Sequence, residues 1–198
     1  MVLYIKNITE FTYEIEKSKF ISILFECKNS EDLQGFLQFA KEKYPKARHY
    51  CYAIRCEECS RNSDDGEPSG TAGKPLLDLL NKNNLMNTGI IVVRYFGGIK
   101  LGAGRLLRSY VTSAKENIDS ATKYIREECL EYELLVDISK ANEFKNFCAL
   151  NGYTINKLIY NSIDVSFNVS SSTDITKDLE ERNIKIIKKK QSYKFKEN

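Results

Sequence analysis

The run Val92-Val93-Arg94-Tyr95-Phe96-Gly97-Gly98-Ile99-Lys100-Leu101-Gly102 decides how this chain is read. From Gly89 onward the residues are almost continuously apolar, the pattern of a strand covered on both faces. The strand is expected to run from Gly89 to Phe96 and to end in an arginine and two aromatics. A glycine turn carrying Lys100 follows, and Ala103 to Ser120 then takes up helical spacing. Backbone amides at a helix start, flanked by cationic side chains, suit a phosphate or a carboxylate.

Upstream of this run, Phe11 to Lys28 reads as two strands with a break near Lys17-Ser18. Ser30 is expected to cap a helix with Leu33, Phe36, Leu37 and Ala40 on one face, ending before Pro45. Tyr50 to Cys56 reads as a strand, and Glu57 to Lys74 as a polar loop rich in Asp, Ser and Gly. Pro75 is placed to start a short helix over Leu76 to Leu80. In the helix after the glycine turn, Leu107, Val111, Ala114 and Ile118 are expected to face the core. Arg105, Arg108, Thr112 and Lys115 are left on a basic stripe.

The pattern changes near Glu128. Strand Cys129 to Val136 precedes helix Ala141 to Leu150, which Gly152 stops. Strands Tyr153 to Tyr160 and Ser162 to Val169 come next. Thr173 is expected to cap a helix over Ile175 to Arg182, ended by Asn183, before strand Ile184 to Phe195. The order βαββαβ predicts a ferredoxin-like sandwich of about 70 residues. The expected class is therefore α+β with two domains, residues 1–125 and 128–198, joined where the apolar pattern pauses near Lys123 to Glu127.

A chain of 198 residues with 42% hydrophobic and 11% aromatic content can bury such cores. The net charge of +3 does not mark a nucleic-acid binder, so any basic surface must come from local clustering. Met1 to Phe11 lacks the basic and apolar regions of a secretory leader, and no apolar run approaches the ~20 residues of a membrane helix. The expectation is a cytoplasmic protein with its six cysteines reduced and no membrane partner.

Two further motifs lie upstream of the opening run: Asp64-Asp65-Gly66-Glu67-Pro68-Ser69-Gly70-Thr71-Ala72-Gly73-Lys74-Pro75 and His49-Tyr50-Cys51-Tyr52-Ala53. The three together, in this order, resemble the signatures of the IMPACT/YigZ family over most of residues 18 to 118. The resemblance implies a family linked to translation whose bacterial members have no settled biochemical activity. It implies an N-terminal α/β sandwich similar to ribosomal protein S5 domain 2-like folds and to domain IV of elongation factor G. It also implies a ferredoxin-like C-terminal part similar to domain V of that factor. Eukaryotic members carry an additional RWD domain, for which no room is expected ahead of the His49 motif, and act by binding a partner that controls a translation-initiation kinase.

Arg94, Lys100, Arg105 and Arg108, with Gly98 and Gly102, are the candidate residues for binding an anion or an RNA phosphate. Tyr95 and Phe96 are available for stacking. The plainer alternative is a tight turn with Arg94 paired to a carboxylate. The accompanying site loop comprises His49, Asp64, Asp65, Glu67 and Thr71, and is expected to meet the glycine turn on one surface. Its three carboxylates suit either a hard cation shared with a phosphate or internal pairing. Internal pairing is expected, because Mg²⁺ is rarely held by protein ligands alone. The loop is not a Walker A sequence: Pro68 and Pro75 stand where glycine and Ser or Thr are required.

His49 and Cys51 alternate onto one strand face, but a Cys-His nucleophile lacks an evident third residue. Cys56-Glu57-Glu58-Cys59 is a lone CxxC without a second ligand pair, expected to be a solvent-facing dithiol with no bound metal. The C-terminal cations Arg182, Lys185, Lys188, Lys189, Lys190, Lys194 and Lys196 suit either a phosphate backbone or the protection of an edge strand. The function expected is a non-enzymatic, translation-associated regulator that binds RNA or the ribosome, with no catalytic residue and no cofactor. The rivals are an enzyme acting on a small phosphorylated or carboxylated substrate, with His49, Asp65 and Glu67 as its chemistry, and a protein-binding regulator. The oligomeric state stays open.

Overall fold

The computed structural model describes residues 1–198, in two units: Met1–Ile125 with Glu197–Asn198, and Arg126–Lys196. In chain order the first holds β1 (Leu3–Tyr4), β2 (Thr9–Ile15), β3 (Ser18–Glu26), α1 (Ser30–Lys43), β4 (His49–Arg55) and β5 (Ser60–Ser63). Then come α2 (Gly73–Lys82), β6 (Leu85–Met86), β7 (Thr88–Tyr95) and α3 (Ala103–Ser120), before the start of β8 (Tyr124–Asp137).

The main sheet of this unit has the order β2-β3-β7-β4-β5, antiparallel throughout, with β7 at its centre. Alternation along β7 explains its unbroken apolar run. Ile90 and Val92 enter one core with α2 and α3, while Ile91 and Val93 enter a second core under α1. Both faces are covered, so neither can be polar. The expected break at Lys17-Ser18 is the β2–β3 hairpin, whose turn residues Glu16 and Lys17 both have positive φ (45° and 61°).

Several local expectations need correcting, among them the helix start at Pro75, since α2 already begins at Gly73. The N-cap of α1 is Asn29, whose side chain accepts from Glu31 N and Asp32 N at 2.9 Å each; Ser30 is already helical. The polar loop after Cys56 contains β5, which pairs with β4 although its sequence Ser-Arg-Asn-Ser has no strand signal. On α3 the buried stripe is Leu106, Ser109, Tyr110, Ser113, Ala114, Asn117 and Ile118, whereas Leu107 is exposed. The stripe is partly polar because it clamps the sheet: Ser113 Oγ donates to Phe20 O, and Asn117 Nδ2 donates to Thr9 O and Ser22 O. Finally, Cys56 is buried in the core under α1, its thiol donating to Cys27 O at 3.1 Å, so no solvent-facing dithiol exists. Cys51 lies in the opposite core, as strand alternation requires.

The second unit continues β8 and adds α4 (Ala141–Leu150), β9 (Thr154–Tyr160), β10 (Asp164–Ser171), α5 (Thr176–Glu181) and β11 (Lys185–Glu197). Its strands follow the order β9-β10-β8-β11. The core gathers Tyr132, Leu134, Phe144, Val165, Phe167 and Leu179 between sheet and helices. Asp174, not Thr173, satisfies the start of α5, accepting from Thr176 N at 3.0 Å. Most C-terminal cations are engaged by carboxylates of this unit: Arg182 with Glu143, Lys189 with Asp174, Lys190 with Glu131, and Lys194 and Lys196 with Glu127. No carboxylate lies within ion-pair reach of Lys185 or Lys188 in the structure. No helix is long and apolar enough to cross a membrane.

Candidate functional site

The site grows from one register pair. His49 opens β4 and sits opposite Arg94 near the end of β7. The loop after β5 folds over both. His49 Nδ1 lies 2.8 Å from Asp65 O, and because a carbonyl only accepts, Nδ1 carries the proton. Asp65 Oδ2 accepts from Tyr50 N at 2.6 Å. Glu67 Oε1 accepts from Arg94 Nη1 at 2.6 Å and from Tyr110 OH at 2.7 Å, with His49 Nε2 at 3.9 Å. This pair is deeply enclosed, the Glu67 side chain being 4% exposed and that of Arg94 7%. The Arg94 guanidinium packs over Phe20 and Phe96, 5.3 and 5.6 Å from their ring centres.

Beside this pair lies a cleft of about 410 Å³. Arg48, His49, Lys100, Glu67 and Arg94 supply its polar groups, and Pro68, Phe96, Leu101 and Leu106 its apolar wall. Gly102 and Ala103 also line it, so the N-terminus of α3 opens into it. That terminus has no side-chain cap: Gly102 holds the N-cap position at φ 75° and ψ 154°, backbone geometry that glycine favours. Arg48 stacks 5.3 Å from the Phe96 ring centre, and neither Arg48 nor Lys100 lies within ion-pair reach of a carboxylate.

The other expected site residues lie outside the cleft's lining. Asp64 faces the start of α2, where Oδ1 accepts from Ala72 N and Gly73 N at 2.9 and 2.8 Å and Oδ2 from Gly70 N at 2.9 Å. Thr71 is buried and donates to Pro68 O at 2.6 Å. Arg105 pairs with Glu16 of the β2–β3 turn. Arg108 lies beside Gly104 on the outer face of α3, and Gly98 is exposed with φ 89°. The four expected cations therefore do not converge: Arg94 and Lys100 reach the cleft, Arg105 and Arg108 do not. Arg48 was missed, its only signal being a cation one residue before His49. Tyr110 was missed because the α3 stripe was drawn from aliphatic residues.

The three loop carboxylates are all satisfied internally, each by a different partner set. Burial pushes the Asp64 carboxyl up, but the backbone N–H donors of Gly70, Gly73 and Ala72 outweigh it and hold its pKa below the usual carboxylate range. A depressed folded pKa gives stability that is present above the unfolded value near 3.9 and lost as pH falls through the folded one. Asp64→Ala is therefore expected to cost about 1–2 kcal/mol at neutral pH, with the gap to wild type closing in acid. Urea unfolding at about pH 7 and pH 3 measures both; a gap that is the same at both pH values would refute the assignment. Cys51 cannot serve as a ready nucleophile. Its thiol donates to Asp64 O at 3.0 Å and lies 3.3 Å from Tyr110 OH, and burial pushes its pKa up to about 12.

Three comparisons bear on identity. The family described as the Impact N-terminal domain matches residues 16–118, which contain every residue of the cleft. The IMPACT family member YvyE of Bacillus subtilis (strain 168) is 43% identical over 118 residues, covering 58% of this chain and 54% of the relative, so the match spans about half of that protein. An IMPACT family member of Haemophilus influenzae is 35% identical over 148 residues, 72% of each chain. A crystal structure of a "hypothetical protein" superposes with a TM-score of 0.64 at 25% identity, covering 93% of this chain and 95% of that one. A first-unit domain that matches over its whole site-bearing span, together with a relative matched over most of both lengths, makes this chain a member of the IMPACT family.

Proposed function

We propose that this protein is a non-enzymatic, translation-associated regulator that binds RNA, alone or in the ribosome, by seating phosphate in the cleft at the start of α3. The observation that carries the reading is the juxtaposition of an uncapped 18-residue helix start with Lys100 and Arg48, two cations without carboxylate partners. Helix-terminal amides and unpaired cations are the elements of a phosphate site. The family's link to translation supplies the setting. Six free cysteines, five of them buried, support a cytoplasmic setting.

Binding of this kind releases condensed counterions, so affinity should fall steeply with salt. Lys100→Ala is expected to weaken binding across unrelated RNA sequences and to reduce the salt slope by about one unit. Arg105→Ala is expected to change little, because that side chain is held by Glu16 outside the cleft. Salt titrations of RNA binding for wild type and both variants decide it. Weak binding with the same slope for wild type and Lys100→Ala would remove RNA from this site.

One observation favours a second reading, an enzyme acting on a small phosphorylated or carboxylated substrate. His49 Nδ1 is fixed by Asp65 O, so a neutral ring presents its basic Nε2 toward Glu67 and the cleft. That reading predicts saturable binding of one small anion and little affinity for long RNA.

A further inference from the structure

We propose that the cleft is matched to a phosphomonoester dianion, the group that ends a 5′-phosphorylated RNA or completes a nucleoside monophosphate. The proposal rests on the phosphate-binding reading above and deepens it by naming the form of phosphate. Charge makes the first argument. Glu67 cancels Arg94 within the buried pair, leaving Arg48 and Lys100 as uncompensated cations of the cleft. The start of α3 adds roughly half a positive charge. An internal phosphodiester brings one negative charge, whereas a phosphomonoester near neutral pH brings about 1.5 to 2. The monoester comes closer to balancing the cleft than the diester does.

Arg94 makes the second argument independently of the helix. It is 5% exposed, it lines the cleft, and its Nε has no acceptor within the protein. Glu67 takes one of the five guanidinium donors, at Nη1. Arg94 thus lines the cleft with donor capacity that Glu67 does not use, and a ligand with three acceptor oxygens is suited to taking it up. A terminal phosphate has one more free oxygen than a phosphodiester.

The remaining lining fits what such a group is attached to. Pro68, Phe96, Leu101 and Leu106 form an apolar wall, and Arg48 carried on Phe96 offers a cationic surface beside it. Bases stack on arginine and aromatic groups in this manner. A volume of about 410 Å³ suits one nucleotide.

The test compares one short oligoribonucleotide in three forms: with a 5′-phosphate, with a 5′-hydroxyl, and with the 5′-phosphate blocked as its methyl ester. A nucleoside 5′-monophosphate alone is the fourth probe. His49 is the sole histidine, so its ring resonances report binding at this cleft without ambiguity. The 5′-phosphate form is expected to bind at least about tenfold tighter than the other two oligonucleotides and to shift the His49 signals. In Lys100→Ala the preference should shrink. The mononucleotide arm separates the sources: affinity equal to that of the phosphorylated RNA identifies a free nucleotide, and much weaker affinity identifies an RNA end. Equal affinity for the three oligonucleotides, with RNA binding intact, overturns this proposal and leaves the RNA reading standing. Failure of every probe to bind overturns both.

Discussion

Glu67→Ala is expected to destabilise the protein by about 3–5 kcal/mol, because it strands a buried guanidinium. The same oxygen that pairs with Arg94 Nη1 also accepts from Tyr110 OH, so two donors lose their acceptor at once. Tyr110→Phe removes one hydrogen bond to a charged group and should cost less, about 1.5–3 kcal/mol. Replacing both charges together, as Glu67→Leu with Arg94→Met, removes the unpaired charge and should recover much of the loss. Chemical denaturation of the four proteins measures the ranking. A double variant as unstable as Glu67→Ala alone would mean that the pair matters through something other than mutual neutralisation. Glu67→Ala also has an opposite effect on the cleft. With its carboxylate gone, Arg94 adds a free positive charge to the cleft, so anion affinity of the folded fraction should rise while stability falls. The two signs separate a structural ion pair from an anion-binding arginine.

That result would bear on why the site was only half legible in the sequence. His49, Glu67 and Arg94 were legible because β-strand register and an irregular polar loop bring them together, and both features leave marks in the sequence. The convergence of four cations was misread because helical position does not say which way a long side chain reaches. Arg105 lies only three residues past Gly102, yet it turns to Glu16, and Arg108 follows the outer face. The loop carboxylates looked like one cluster and serve three separate tasks: Asp64 holds the start of α2, Asp65 the start of β4, and Glu67 the buried arginine. Nothing in their spacing assigns those tasks, since each depends on which donors the folded chain brings up: local backbone N–H groups for Asp64, Tyr50 N for Asp65, and the side chains of Arg94 and Tyr110 for Glu67. Burial on both sides of β7 was legible from its apolar run, while β5 was not, because an edge strand of Ser-Arg-Asn-Ser pairs with β4 without an apolar face of its own. The polar stripe on α3 was hidden for a related reason: Ser113 and Asn117 are buried against backbone carbonyls, which a hydrophobicity pattern does not register.

The glycine turn shows how residues that look alike do different work, and it gives the second large effect. Gly97→Ala is expected to destabilise by about 3 kcal/mol or more and to disorder the cleft. A Cβ at this position would meet Lys17 C at 2.1 Å, Ser18 N at 2.3 Å and Lys17 O at 2.4 Å. These are backbone atoms of the β2–β3 turn, so no side chain can rotate away, and overpacking of a rigid contact already costs about 1–3 kcal/mol where relaxation is possible. Ser18 Oγ accepts from Gly97 N at 3.1 Å, so the strained segment is also a hydrogen-bonded one. Gly98 and Gly102 differ. A Cβ at either meets nothing within 4 Å, and what each needs is its positive φ, 89° and 75°. Their alanine variants should cost about 1–3 kcal/mol through backbone strain alone. The order of effect, Gly97 above Gly102 and Gly98, can be read by thermal unfolding of the three variants. The loss in Gly97→Ala should also weaken the cleft's anion binding in the protein that remains folded, because Gly97 sits in the turn whose Phe96, Lys100 and Leu101 line the cleft. A Gly97→Ala protein of wild-type stability would show that the turn and the hairpin are not pressed together as described. If Gly97→Ala instead proved no worse than Gly98→Ala, conformational freedom would be the sole requirement of the turn, and the close approach that positions the helix start would have to be abandoned.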